Sequence, residues 1–64
     1  MMQHKILIKE VLEAKGLKQK WLADKLGVSE VTISNWANNK TMPSIKMLYT
    51  ITELLKVEIS ELIK

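Results

Sequence analysis

Residues 18–36 read KQKWLADKLGVSEVTISNW, and the break at Gly27 makes them informative. Leu22, Ala23 and Leu26 form an apolar stripe with helical spacing from about Gln19 onward. Gly27 tolerates the positive φ that ends such a helix. Ser29 then offers a hydroxyl that accepts from an orphan amide of the next helix, predicted over about Glu30 to Asn38. Two short helices joined by so brief a turn must cross steeply. The second turns Ile33 and Trp36 inward and leaves Glu30, Val31, Thr32, Ser34 and Asn35 largely outside. A short rod with a small, polar, varied outer face suits the reading of base edges in a groove.

Outward from this pair, the same periodicity continues. A first helix is predicted over about His4 to Lys15, with Ile8, Val11 and Leu12 as one stripe. Lys5 and Lys9 alternate with Glu10 and Glu13 on its other side. Gly16 closes it and Leu17 turns back toward the core. Asn39 is the expected left-handed residue after the Glu30–Asn38 helix. Lys40-Thr41-Met42-Pro43 is a loop. Pro43 blocks a helix, and Ser44 caps the next one, over about Ile45 to Lys56. Leu48, Ile51, Thr52 and Leu55 are its inward stripe. A last short helix covers about Ile59 to Ile63 and buries Ile59 and Leu62. No segment reads as a β-strand with turn signals at both ends. Five short helices with brief connections predict a compact all-α unit, one domain over 1–64.

A chain of 64 residues buries only roughly 60% of its unfolded surface, so its core is small. With 47% hydrophobic residues it is not a disordered composition. Cysteine is absent, so neither a disulfide nor a thiolate metal site holds it together. Helix packing must do so, with room for a second subunit to complete the core. No apolar run reaches the length of a membrane span and no signal-peptide pattern begins the chain, so a cytoplasmic location is expected. The net charge is +3, and its placement is uneven. Lys18, Lys20, Lys25, Lys40 and Lys46 face only Asp24 and Glu30 between residues 18 and 46, while the remaining segments are balanced. The excess therefore flanks the two-helix unit, where a phosphate backbone would pass. All ten basic residues are lysine, so the guanidinium fork that pairs with guanine is missing.

An enzyme is not expected. The single histidine, His4, lies near the chain start and reads as solvated. No carboxylate pair sits in a plausible cleft, and so small a core leaves no ligand-sized pocket. No metal ligands stand at useful spacing and no cofactor is called for. Of the methionines, Met1 and Met2 are terminal, Met42 is in a loop and Met47 is on a helix; none suggests a cofactor. Trp36 shares the helical phase of Ile33 and is expected in the core. Trp21 is expected to be half exposed, over the junction of the first two helices or on a subunit surface.

The pattern Lys15-Gly16-Leu17, Gln19, Leu22-Ala23, Leu26-Gly27-Val28-Ser29, Thr32-Ile33-Ser34, Trp36, Pro43, Leu48, Ile51, Leu55 and Leu62 resembles the lambda-repressor-like DNA-binding domain of the Cro and phage-repressor (XRE) family. The resemblance covers about Ile8 to Ile63. It implies a five-helix domain whose second and third helices form a helix-turn-helix. Four positions depart from the family pattern. A frequent arginine–glutamate pair is here Leu12 and Ala37, an apolar replacement that need not cost stability. A glycine after the third helix is Asn39, and one after the fourth is Lys56, a less comfortable left-handed residue.

The resemblance also implies roles. Gln19 would bond a backbone phosphate, with Lys18 and the amides of that helix start nearby. Asn38, Lys40 and the amides of the following loop would hold a second phosphate. Ser34 has two readings: a phosphate contact, or a hydroxyl bonded to its own helix. Glu30, Val31, Thr32 and Asn35 would meet base edges in the major groove of double-stranded DNA. Asn35 suits adenine, and the methyl groups of Val31 and Thr32 suit thymine. Lacking arginine, the chain should favour A·T pairs there. Useful affinity implies a homodimer, with Tyr49, Leu54, Ile59 and Ile63 as contact candidates. The rival is a protein-interaction module, such as an antitoxin or co-regulator, built on the same fold. Neither reading involves a membrane or a small-molecule substrate.

Overall fold

A computed structural model of the chain describes residues 5–64. Its first described residues are extended, not helical. Ile6 forms an antiparallel bridge with Ile63. Lys5 and Lys64 exchange both main-chain bonds, at 2.8 and 2.9 Å, and Leu7 N–H donates to the Leu62 carbonyl at 2.7 Å. The first helix, α1, therefore spans Ile8–Ala14 and starts later than predicted. The predicted start at His4 lies outside the described residues. Extension wins here because it buries Ile6 and satisfies its neighbours' main chain against the other end of the molecule. An added turn of uncapped helix would do neither.

The next elements follow the sequence closely. Gly16 at φ +69° ends α1, and the Leu17 N–H reaches the Leu12 carbonyl at 2.8 Å. This is the left-handed helix stop that returns Leu17 to the core. Helix α2 spans Gln19–Leu26 and stops at Gly27, whose φ is +70°. Helix α3 spans Glu30–Ala37, and the Ser29 hydroxyl accepts from the Thr32 N–H at 3.1 Å. Asn38 closes α3, and Asn39 takes φ +60°. Pro43 is buried. Helix α4 spans Ile45–Leu55, with Ser44 accepting from the Met47 N–H at 3.1 Å. Lys56 adopts φ +57° to end it. Helix α5 spans Ile59–Leu62 and begins in a reciprocal cap between Glu58 and Glu61.

All five helices feed one apolar cluster. Ile8 and Leu12 come from α1, Leu22 and Ala23 from α2, and Ile33 and Trp36 from α3. Leu48, Ile51 and Leu55 come from α4 and Leu62 from α5. Ile6 joins them from the terminal ribbon. Leu12 and Ala37 are both buried, so apolar packing occupies the place of the family's ion pair. Leu26 and Ile59, expected inside, are half-buried against the cluster. Thr52 is the buried polar residue, and its hydroxyl donates to the Tyr49 carbonyl at 2.7 Å. Among the described residues no buried side-chain nitrogen or oxygen lacks a partner.

Candidate nucleic-acid interface

Burying Ile33, Trp36 and Ala37 fixes the rotation of α3 about its axis. That rotation turns Glu30 and Val31 to solvent, Val31 with 68% of its surface exposed. Thr32, Ser34 and Asn35 are half-buried along the flanks. A valine so exposed at the start of a short helix stabilises nothing inside the protein. The Thr32 hydroxyl lies 3.0 Å from the Ser29 hydroxyl, so it is already engaged at the cap. Asn35 makes no side-chain bond among those seen, and its carbonyl accepts from the Lys40 N–H at 2.8 Å.

The two ends of this surface differ electrically. Helix α2 starts at Lys18 with no side-chain cap, so its first amides are unsatisfied within the helix. Lys18 is exposed and Gln19 half-buried beside them. The uncapped amides and a lysine together make an electropositive corner. At the other end Asn38 donates to the Ser34 carbonyl at 3.0 Å and to its hydroxyl at 3.3 Å. Ser34 thus bonds forward to Asn38 and keeps its own hydroxyl proton free. The amides of Lys40 and Thr41 both point to the Asn35 carbonyl, at 2.8 and 3.4 Å. Those two loop amides are spent internally, while the Lys40 side chain is exposed. This narrows the expectation that the whole loop backbone would bind an anion.

The apolar candidates are spread. Tyr49 has 57% of its surface exposed, whereas Leu54, Ile59 and Ile63 are half-buried against the core. Leu54 stands about 140° around α4 from Tyr49, so the two do not share a face. Tyr49 instead aligns with Ile45, one turn earlier and 73% exposed, and with Met42 at 59% in the loop before it. Sequence reasoning passed over Ile45, although its spacing from Tyr49 was the available signal. Trp21 is half-buried beside a shallow open recess lined by Gly16, Leu17, Lys18, Lys20 and Asp24, and Lys25 Nζ sits 6.0 Å from its ring centroid. It covers the α1–α2 junction. Among the described residues no three metal-ligating side chains cluster. No helix among them is long and apolar enough to cross a membrane.

The helix-turn-helix family model matches residues 8–62, from the first residue of α1 to the last of α5. The chain belongs to the XRE-type helix-turn-helix family. It is similar to a solved structure from Bacteroides fragilis, described as "a putative DNA-binding protein". The two are 44% identical, with 97% of this chain and 100% of that one covered, at a TM-score of 0.93. A comparison with curated proteins gives no match. The family frame agrees with the five helices and with the α2–Gly27–α3 unit as its helix-turn-helix.

Proposed function

We propose that this chain binds double-stranded DNA sequence-specifically and acts as a small transcriptional regulator, a repressor, with α3 in the major groove. The observation that carries this reading is the outer face of α3. Glu30 and Val31 stand in solvent on a helix whose other side is locked by Ile33, Trp36 and Ala37. Glu30, Val31, Thr32 and Asn35 would read bases, with A·T pairs favoured because no arginine is present. Lys18 and Gln19 on one side, and Ser34, Asn38 and Lys40 on the other, would hold phosphates. The family membership and the Bacteroides fragilis neighbour support DNA as the ligand.

A single unit covers half a site, so the working form is a cytoplasmic homodimer with reading helices about 34 Å apart. The proposed contacts are Tyr49, joined by Ile45, or else Leu54, Ile59 and Ile63, because Leu54 lies on a different face of α4. In vitro selection of duplex sites reports motif, symmetry and half-site spacing together. Guanine-dominated motifs under α3 would overturn the base assignment. Motifs without two-fold symmetry would overturn the dimer.

A second reading is favoured by one observation. Met42, Ile45 and Tyr49 are each exposed, and the duplex contact proposed above covers none of them. An antitoxin or co-regulator would cover them with a different protein instead of a second copy. Duplex binding that does not weaken with salt would favour it.

A further inference from the structure

The terminal ribbon places two lysines in a position that folding alone does not favour. Ile6 points into the core with 1% of its surface exposed, so its strand neighbour Lys5 must point out. Lys64 is directly opposite Lys5, because the two exchange both main-chain bonds. Directly opposed residues on an antiparallel pair extend to the same side. Both side chains are exposed, so two ammonium groups share one small outward face. Like charges so placed repel and weaken the pairing that carries them. Glu61, one turn before the ribbon, does not answer them: its carboxylate accepts from the Glu58 N–H at 2.7 Å.

The ribbon is also tied to α3. The Ile6 N–H donates to Asn39 Oδ1 at 2.8 Å, and Asn39 Nδ2 donates to the Ile6 carbonyl at 3.4 Å. Ile6 turns these groups away from Ile63, so the Asn39 amide takes the place a third strand would hold. Lys5 immediately precedes the clamped residue, and Lys40 immediately follows the clamping one. The main chains of Lys5 and Lys64 are thus tied, through Ile6 and Asn39, to the C-terminal end of α3, where Lys40 follows.

We propose that Lys5 and Lys64 form a phosphate-binding pair, which extends the contact of Lys40 along the DNA backbone beyond α3. A phosphodiester between them neutralises the repulsion that the ribbon otherwise bears. The pair adds affinity without sequence preference. This rests on the duplex-binding reading above, and Asn39 acts in it as a positioning residue.

The test is binding of a mixed-sequence DNA duplex across a range of salt concentrations. The K5Q/K64Q variant should show a log K against log salt slope shallower by roughly 0.9 per protomer, the value for one phosphate no longer neutralised. Its thermal midpoint should not fall, because a repulsion has been removed. K5R/K64R, which keeps the charges, should retain the wild-type slope. K64Q alone, changed only at the outer edge of the fold, should flatten the slope by about half as much and guards against a folding defect in the double variant. If the wild-type slope is steep and the glutamine variants reproduce it, the lysine pair is wrong while duplex binding stands. If the wild type shows no salt-dependent binding, both proposals fail.

Discussion

Asn39 grips the main chain of Ile6 at both its N–H and its carbonyl, 33 residues away in sequence. It does so from a left-handed backbone at φ +60°. Glycine would take that backbone more easily, so the side chain must be the reason asparagine is there. Asn39→Gly should lower stability by about 1 kcal/mol, the net value of a partly buried hydrogen bond. Asn39→Ala should cost about 2 kcal/mol, because it also forces a Cβ into the left-handed region. Denaturant unfolding of the two variants distinguishes these; an Asn39→Gly variant as stable as the wild type would mean the clamp contributes nothing, and equal losses would mean the left-handed backbone costs alanine nothing extra.

Lys56 is the other left-handed residue without glycine's freedom, at φ +57°. It closes α4, is exposed, and has no side-chain bond like that of Asn39. The same substitution should therefore act in the opposite direction. Lys56→Gly should stabilise by about 1 kcal/mol, raising the thermal midpoint by roughly 4–8 °C. A fall in midpoint would show that the Lys56 side chain contributes packing that its exposure does not suggest.

Ser29 holds the start of α3 through the Thr32 N–H and the Thr32 hydroxyl. Ser29→Ala should cost about 1 kcal/mol of stability. It should also release the Thr32 hydroxyl and loosen the first turn, where Glu30 and Val31 stand. Affinity for a selected site should then fall more than affinity for random duplex. Equal losses on both would place the effect in overall stability alone.

Val31 is predicted to be silent for folding and active for recognition. Val31→Ser should leave the unfolding free energy within about 0.5 kcal/mol of wild type, as for ordinary surface changes. If its methyl groups meet a thymine methyl, a selected site should be bound about fourfold more weakly, close to the value of one buried methylene. Replacing that thymine with uracil should weaken the wild type similarly and leave the variant unchanged. An unaffected affinity would remove Val31 from the reading face.

Leu12 and Ala37 stand where the family often carries an ion pair, and both are buried. Leu12→Arg alone should cost about 3–5 kcal/mol, enough to unfold much of so small a domain. Adding Ala37→Glu should recover part of that loss. A double variant no more stable than Leu12→Arg would show that the site no longer has room for the pair.

The helices were readable from local signals wherever the signals sufficed. Gly27 and Ser29 set the α2–α3 turn, Ser44 set the start of α4, and the expected bounds Gln19–Leu26 are those observed. Asn39 was placed in a left-handed conformation by its position after the α3 helix, whereas for Lys56 only the resemblance, with its glycine there, pointed to one. The terminal ribbon was not readable. Lys5 fits the charge alternation of a helix, and its pairing with Lys64 is visible only once both ends are folded. The use of Asn39 was hidden for the same reason: its backbone role is local, whereas its side-chain role depends on a residue 33 positions away. At the interface, helical phase exposed Val31 and Glu30. It could not show that the Lys40 and Thr41 amides are turned to Asn35, since loop hydrogen bonds carry no periodicity.

Because Lys5 and Lys64 lie face to face, the fold is nearly a closed ring. Anything tethered ahead of Lys5 departs from the same corner as anything tethered behind Lys64. Two fused cargoes would therefore travel as neighbours, both close to the C-terminal end of α3 rather than at opposite poles.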